Sequence, residues 1–318
     1  MLEKWKAELV NNTAVQKIWG YIRKRKIIQQ HKRVYNFWKP IIEDYVSGKL
    51  PNYSVIAKRE LPPNKIIWQY WGQGEHDLNL PEVVRLSFAS VDRYKGDYVV
   101  IRLDDGNIGD YIDLPTFVAA KRAANTSFNR TFFSDLLRLA LLKAYGGVWL
   151  DATTLLSDVL PESYTQQDFF VYQRDQNEKN KAYWENSYAF YWSWQADFRV
   201  RMLNSFIFAK KGNKMVEMLL DLILYYWKTQ ERIVDYFFFQ IVYDILMREY
   251  EVETCVMVSD VLPHLLQTKI NNPSVDFVDY ETALQATSIH KMSYYRDDAL
   301  QRFSSFVHAY ILTESESL

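Results

Sequence analysis

The block from Ser134 to Thr154, SDLLRLALLKAYGGVWLDATT, constrains the fold more than any other part of the chain. Its first half carries Leu136, Leu137, Leu139, Ala140, Leu141, Leu142 and Ala144, which leave a helix almost no polar circumference. The one hydrophilic stripe, Ser134, Asp135 and Arg138, must therefore face something other than bulk water. Gly146 and Gly147 suit a helix stop followed by a tight entry into a strand, because glycine accepts positive φ and close backbone approach. Beyond them, period-2 alternation puts Trp149, Asp151 and Thr153 on one face, and Val148, Leu150, Ala152 and Thr154 on the other. The pattern is a buried helix, a double-glycine turn and a short strand ending on a carboxylate.

A strand-terminal carboxylate, a second oxygen two residues on and an Asp/Arg pair on the preceding helix can together serve a divalent cation, a ribose and a diphosphate. Asp135 and Arg138, at i and i+3, also suit a plain intrahelical ion pair worth a few tenths of a kcal/mol. Burial makes that assignment expensive, since desolvating both charges can exceed their attraction.

The block resembles the core motif of the bacterial capsular polysaccharide synthesis proteins, relatives of the family 32 glycosyltransferases, with its S-D-x-x-R, G-G and D-x-D pattern. Order and spacing also agree for KIIWQYW (Lys65 to Trp71), RMLNSFIFAKKGN (Arg201 to Asn213) and SIHKMSYY (Ser288 to Tyr295). The resemblance implies a GT-A-like nucleotide-sugar-binding sandwich with a mixed, mostly parallel sheet. It also implies transfer of a hexose or N-acetylhexosamine from a UDP-sugar to a capsular or cell-surface oligosaccharide, lipid-linked, with retention of configuration. Backbone groups of Ile67, Trp68 and Gln69 would meet the uracil, with Trp71 nearby. Ser134, Asp135, Arg138 and Asn204 would hold the donor sugar. Asp151, Ala152 and Thr153 would hold ribose and a Mn²⁺ or Mg²⁺ ion, and His290 and Lys291 the leaving diphosphate. The chain departs from the pattern at Thr153, a neutral hydroxyl where the motif has a second carboxylate. A hard cation prefers charged oxygens, so metal dependence is in question, and His290 is the candidate substitute ligand. A histidine between Ile289 and Met292 also suits a hydrogen-bonded core position. Asp235 is the candidate extra carboxylate near the acceptor, and equally a first-turn helix residue. The loss of a carboxylate at Thr153 prompts a rival reading, a non-catalytic nucleotide-sugar-binding subunit of a polysaccharide-assembly complex.

The 318 residues, 48% hydrophobic and 24% charged, can bury a sizeable core and fit one large α/β domain with an appendage. A net charge of -1 argues against a nucleic-acid partner. Lone Cys255 allows neither an internal disulfide nor a thiolate metal site. With no signal-peptide pattern and no apolar run of spanning length, the expected location is cytoplasmic, at the inner face of the membrane.

Residues 1–40 carry ten Lys/Arg against two Glu, with Arg23 to Lys26 at the centre and Trp5, Trp19, Tyr21 and Trp38 interleaved. We read residues 1–50 as a basic helical arm that either lies on an anionic membrane or packs on the catalytic domain. Residues 51–64, broken by Pro51, Pro62 and Pro63, read as a linker, and 65–318 as the catalytic domain. Within it we expect strands at KIIWQYW, at Asp97 to Asp105, near Asp168 to Gln173 and at Ser205 to Ala209. Helices are expected over Pro81 to Tyr94, Lys214 to Trp227 and Ile233 to Tyr250. The aromatic run from Tyr183 to Phe198 suits either a sugar-binding wall or the packing of an insertion.

Overall fold

A computed structural model of the chain describes residues 13–252, 255–293, 295 and 298–313. In chain order, helix α1 (Thr13–Val46) and strand β1 (Ile56–Ala57) precede β2 (Ile66–Tyr70), α2 (Glu82–Tyr94), β3 (Val99–Leu103) and β4 (Ile112–Asp113). There follow α3 (Thr116–Ala124), α4 (Arg130–Tyr145), β5 (Gly147–Leu150), β6 (Thr154–Leu156), α5 (Glu162–Thr165), β7 (Phe169–Gln173) and α6 (Lys181–Ser187). The remaining main elements are β8 (Met202–Ala209), α7 (Lys214–Thr229), α8 (Phe238–Glu249), α9 (Leu265–Asn271), α10 (Tyr280–Ala286), β9 (Ile289–Lys291) and α11 (Ala299–Phe306).

The central sheet has five strands in the order β3-β2-β5-β8-β7. β2 pairs in parallel with both β3 and β5, while β8 runs antiparallel to both of its neighbours. The sheet is therefore mixed, as the resemblance implies, with two parallel and two antiparallel pairings and with β8 alone among its five strands running against the rest. From β2 the chain steps outward to β3 and then crosses back over β2 to β5. Crossovers of the usual right hand that run in opposite directions put their helices on opposite faces of a sheet, so the carboxyl ends of β2 and β5 form a switch point of the kind at which open α/β sheets hold ligands.

Each expected strand and helix is present, with shifted ends. The helix expected from Ile233 starts at Phe238, because residues 231–236 form an irregular turn in which the Asp235 carboxylate accepts the Phe237 N–H at 2.8 Å. The strand running through Asp151 is the larger correction. It ends at Leu150, and the chain turns at Ala152 and Thr153, closed by a Thr154 N–H to Asp151 carbonyl bond of 2.8 Å. The alternation is broken there, and Thr154 begins β6, which pairs with β9.

Gly146 and Gly147 take φ of 71° and 101°. A methyl group on Gly147 would overlap the Ile66 carbonyl oxygen, so glycine is what lets β5 lie against β2.

Residues 1–12 of the segment read as an arm, Trp5 among them, lie outside the described residues; from Thr13 to Val46 the segment is one helix, α1, and its two halves behave differently. Val34, Trp38 and Ile42 are fully buried in the same core as the sheet, with Trp38 against Tyr226 and Phe238. Ile18, Trp19, Tyr21, Ile22, Arg23, Arg25 and Lys26 are exposed around the helix circumference. The segment read as a linker contains β1, which pairs with β4.

Candidate active site

α4 is buried along most of its length because it packs between the sheet and α7. Its polar stripe therefore opens into the crevice at the switch point. Asp135 and Arg138 are 5% and 3% exposed and form an ion pair of 3.1 Å. The Arg138 guanidinium also donates to the Ser134 carbonyl at 3.0 Å, to Ser134 Oγ at 3.0 Å and to the Asn204 carbonyl, and it lies 3.6 Å from Asp151. Asn204 comes from β8, brought in by the antiparallel ladder that sets Ser205 against Asp151. Its amide donates to Asp135 Oδ1 at 3.0 Å.

Asp151 is gripped from two further sides. The Trp149 indole N–H donates to Oδ1 at 2.8 Å, and Lys291 Nζ donates to Oδ2 at 2.9 Å and to Thr153 Oγ1 at 2.9 Å. Asp151 and Thr153 thus converge as expected, through the turn and not through strand alternation.

The two carboxylates respond to these surroundings in opposite directions. Burial pushes Asp135 up to about 6, reinforced by the Asp151 charge and only partly offset by Arg138 and Asn204. Burial acts on Asp151 too, but Lys291 and Arg138 outweigh it and hold that carboxyl down to about 2. Adjacent carboxylates with separated titrations are a frequent mark of a functional site.

These groups form the floor of a cleft of about 850 Å³. Its wall is aromatic, including Trp184, Tyr188, Tyr191, Trp192, Tyr236 and Phe237, so most of the expected aromatic run contributes to it. Behind the wall, Arg174 and Asp260 form a fully buried pair of 2.9 Å. Arg174 also donates to the carbonyls of Tyr191 and Ser193, and lies 4.5 Å from the Trp192 ring centroid. A second hollow, about 670 Å³, lies at the ends of β2 and β3 and is lined by Glu75, Asp77 and Asp104. Its cation Arg102 is already bound to Glu75 and Asp92, so it is a poor match for phosphate.

Several expected site residues lie elsewhere. Ile67, Trp68 and Gln69 are fully buried, and Ile67 and Trp68 are paired with strands on both sides. The backbone of Ile67 and Trp68 is committed to the sheet. The pairing with β5 ends at Trp68, which leaves the backbone from Gln69 onward without a strand neighbour on that side. Half-buried Trp71 packs with Val84, Phe88 and Ala152, beside the Asp151 turn. His290 projects to the other side of β9 from Lys291, where its Nε2 meets Ser157 Oγ at 2.9 Å. Burial lowers it to about 3 and keeps it neutral, and it does not line the cleft. Asp235 does not line the cleft either, serving instead the turn before α8.

The resemblance implies a divalent cation at Asp151, and the donor set does not fit one. Thr153 is uncharged, His290 faces away, and both Asp151 Oδ2 and Thr153 Oγ1 accept from an ammonium. Among the described residues, no cluster of three His, Cys, Asp or Glu side chains is arranged to hold a metal.

Residues that pattern reading missed are His264, Gln240 and Gln267, all at the cleft. His264 is buried against Trp184, Tyr191 and Trp192, and burial lowers it to about 4. None stands in a recognisable spacing.

A mixed α/β sheet with a charged floor beneath an aromatic cleft defines a protein built to hold a polar ligand that also offers apolar faces. The chain belongs to the capsular polysaccharide synthesis protein family, which it matches over residues 17–310. It is 29% identical over 191 residues to the O-glycosyltransferase braB of Annulohypoxylon truncatum. That match takes in 54% of this chain, and the chain spans 39% of the length of that relative. It is also similar to the solved PaToxG glycosyltransferase, at 16% identity and a TM-score of 0.32, over 90% of this chain and 97% of that one. Among the described residues, no helix is long and apolar enough to cross a membrane.

Proposed function

We propose that the protein is a GT-A-like glycosyltransferase that moves a hexose or N-acetylhexosamine from a UDP-sugar to a hydroxyl of a capsular or cell-surface oligosaccharide. The observation that carries this reading is the convergence of Asp135, Arg138, Asp151, Asn204 and Lys291 at the floor of one cleft, at the carboxyl edge of the parallel strands. Asp135 and Asn204 would accept and donate hydrogen bonds to sugar hydroxyls, and Asp151 would orient the ribose. The aromatic wall suits the C–H faces of acceptor sugar rings. Among the described residues, the carboxylates that line the cleft are Asp135 and Asp151, and each is held by a cation, which disfavours a two-step mechanism. We favour transfer with retention in which the departing diphosphate helps deprotonate the acceptor, so that catalysis rests on positioning and charge stabilisation.

The exposed tip of α1 supports a membrane contact and hence a lipid-linked acceptor. It combines Ile18, Trp19, Tyr21 and Ile22 with Arg23, Arg25 and Lys26, a composition that suits an anionic lipid surface. Lys24 pairs at 2.6 Å with Glu185 of α6, whose Trp184 lines the cleft, so the tip lies near the aromatic wall.

A screen of UDP-sugars read out by UDP release tests the activity. Asp151→Asn keeps volume but removes the orienting charge, and turnover should fall by at least about 100-fold with the fold intact. Near-wild-type turnover in that variant would sink the assignment. Tight UDP-sugar binding without turnover on any donor would favour the non-catalytic subunit, the reading that Thr153 prompts.

A further inference from the structure

We infer that Lys291 takes the place of a divalent cation in this site: its ammonium, seated between Asp151 and Thr153, is the charge that receives the diphosphate, so nucleotide binding needs no metal. The inference rests on the sugar-nucleotide reading and concerns how that site handles charge.

The geometry carries it. Lys291 Nζ lies 2.9 Å from Asp151 Oδ2 and 2.9 Å from Thr153 Oγ1, the two oxygens that the D-x-D pattern would offer a metal. An ammonium has three N–H donors and no acceptor. Two are directed at Asp151 and Thr153, which leaves the third for a ligand oxygen, and Lys291 lines the cleft.

The lysine is also held in place. It ends β9, which pairs with β6 so that Lys291 faces Thr154, and the Met292 N–H donates to the Thr153 carbonyl at 2.8 Å. Backbone pairing thus presents the side chain to the Asp151 turn, and its aliphatic stem is largely covered, the side chain being 16% exposed.

From the protein a metal would receive one carboxylate and one neutral hydroxyl, both already accepting from the Lys291 ammonium, and would have to draw the rest of its shell from water and the diphosphate. Entry would require displacing Lys291 or placing two cations within a few ångströms of one another, which is unfavourable in a partly desolvated site. Replacing the second carboxylate by Thr153 fits the same arrangement. A hydroxyl accepts from the ammonium without adding a second negative charge beside the incoming diphosphate.

Calorimetry of UDP with the full chain, in excess EDTA and again with saturating Mn²⁺, tests the idea. We expect the two affinities to agree within about threefold, and Lys291→Met to weaken both by at least about tenfold, the scale of one charge-assisted hydrogen bond. Lys291→Arg should retain binding in EDTA, and circular dichroism should show both variants folded. The double variant Thr153→Asp/Lys291→Met, which restores the carboxylate and removes the ammonium, should bind UDP only with Mn²⁺. Wild-type binding that appears only with Mn²⁺, or a folded Lys291→Met that binds as wild type in EDTA, overturns the inference and leaves the sugar-nucleotide reading standing. If the wild type binds neither UDP nor any other nucleoside diphosphate under either condition, that reading falls and this inference with it.

Discussion

Asp135, which the proposed function places on the donor sugar, should cost the fold stability, and Asp135→Asn tests this. The carboxyl is 5% exposed, and burial with the neighbouring Asp151 charge raises it from 3.8 to about 6. At about 1.4 kcal/mol for each tenfold, keeping it ionised at neutral pH costs roughly 3 kcal/mol relative to the unfolded chain. The sign follows from proton counting. Between pH 4 and 6 the folded state holds a proton on Asp135 that the unfolded state has lost, so its contribution to stability falls as pH rises through that window and is level above it. Asparagine keeps the volume, can still accept from Asn204 and Arg138, and carries no charge. Arg138 retains Ser134, the Asn204 carbonyl and Asp151 as partners. In urea unfolding at pH 7.5, Asp135→Asn should therefore match or exceed the wild type, by up to about 3 kcal/mol, with the difference shrinking toward pH 4. Donor turnover should fall by about 100-fold or more, because the sugar loses a charged acceptor. Wild-type donor turnover should also decline as pH falls through about 6, when Asp135 takes up its proton. A variant less stable than wild type by more than about 1 kcal/mol, a loss in the range for removing a hydrogen-bonded partner, would mean that the carboxylate is a structural ion-pair partner.

Gly147→Ala should destabilise the fold by on the order of 3 kcal/mol or more, because its φ of 101° disfavours a side chain and the methyl would press on the Ile66 backbone; an unchanged melting temperature refutes the close packing of β5 on β2. Arg174→Met should cost about 3–5 kcal/mol in chemical unfolding by stranding buried Asp260, and the double variant with Asp260→Leu should recover part of the loss; additive losses would refute the coupling. Exchanging Trp19, Tyr21 and Ile22 for serine, and Arg23, Arg25 and Lys26 for glutamine, should abolish sedimentation with anionic vesicles and spare UDP release; unchanged sedimentation rules out the α1 tip. Deleting residues 1–40 is a poorer probe, because it removes Val34 and Trp38 from the core and should unfold the protein.

The sheet strands and the long helices were legible because their apolar runs are long and periodic, and α4 with β5 was legible in detail because two glycines punctuate it. What escaped was mostly what tertiary contact decides. Nothing local distinguishes the two ends of α1, since burial of Trp38 and exposure of Trp19 depend on where α7 and α8 lie. Alternation failed after Leu150 because a turn of small and β-branched residues can keep two oxygens on one side without an extended backbone. At β9 the same rule worked in reverse: adjacent His290 and Lys291 must face opposite ways, so they do not share the ligand site as the sequence reading had them do. His264, Gln240 and Gln267 reach the cleft from separate segments, a convergence that no single spacing encodes.

The division of labour between the two cations of the site follows from counting their hydrogens. The resemblance puts Arg138 on the donor sugar, yet the structure directs most of its guanidinium hydrogens to the protein. Nε donates to the Ser134 carbonyl, one terminal nitrogen to the Asn204 carbonyl, and the other to Ser134 Oγ while lying 3.1 Å from Asp135 and 3.6 Å from Asp151. With these contacts made, few of its five hydrogens remain for a ligand. Its planar fork suits this task, because five donors in fixed directions can hold two carboxylates and two backbone segments in one arrangement, which a lysine ammonium cannot. In the proposed function Arg138 would thus act as a positioning residue, since it ties α4 to β8 and to the Asp151 turn. Lys291, less buried and with a hydrogen in reserve, is left as the cation at the cleft floor that can turn its charge toward an incoming anion.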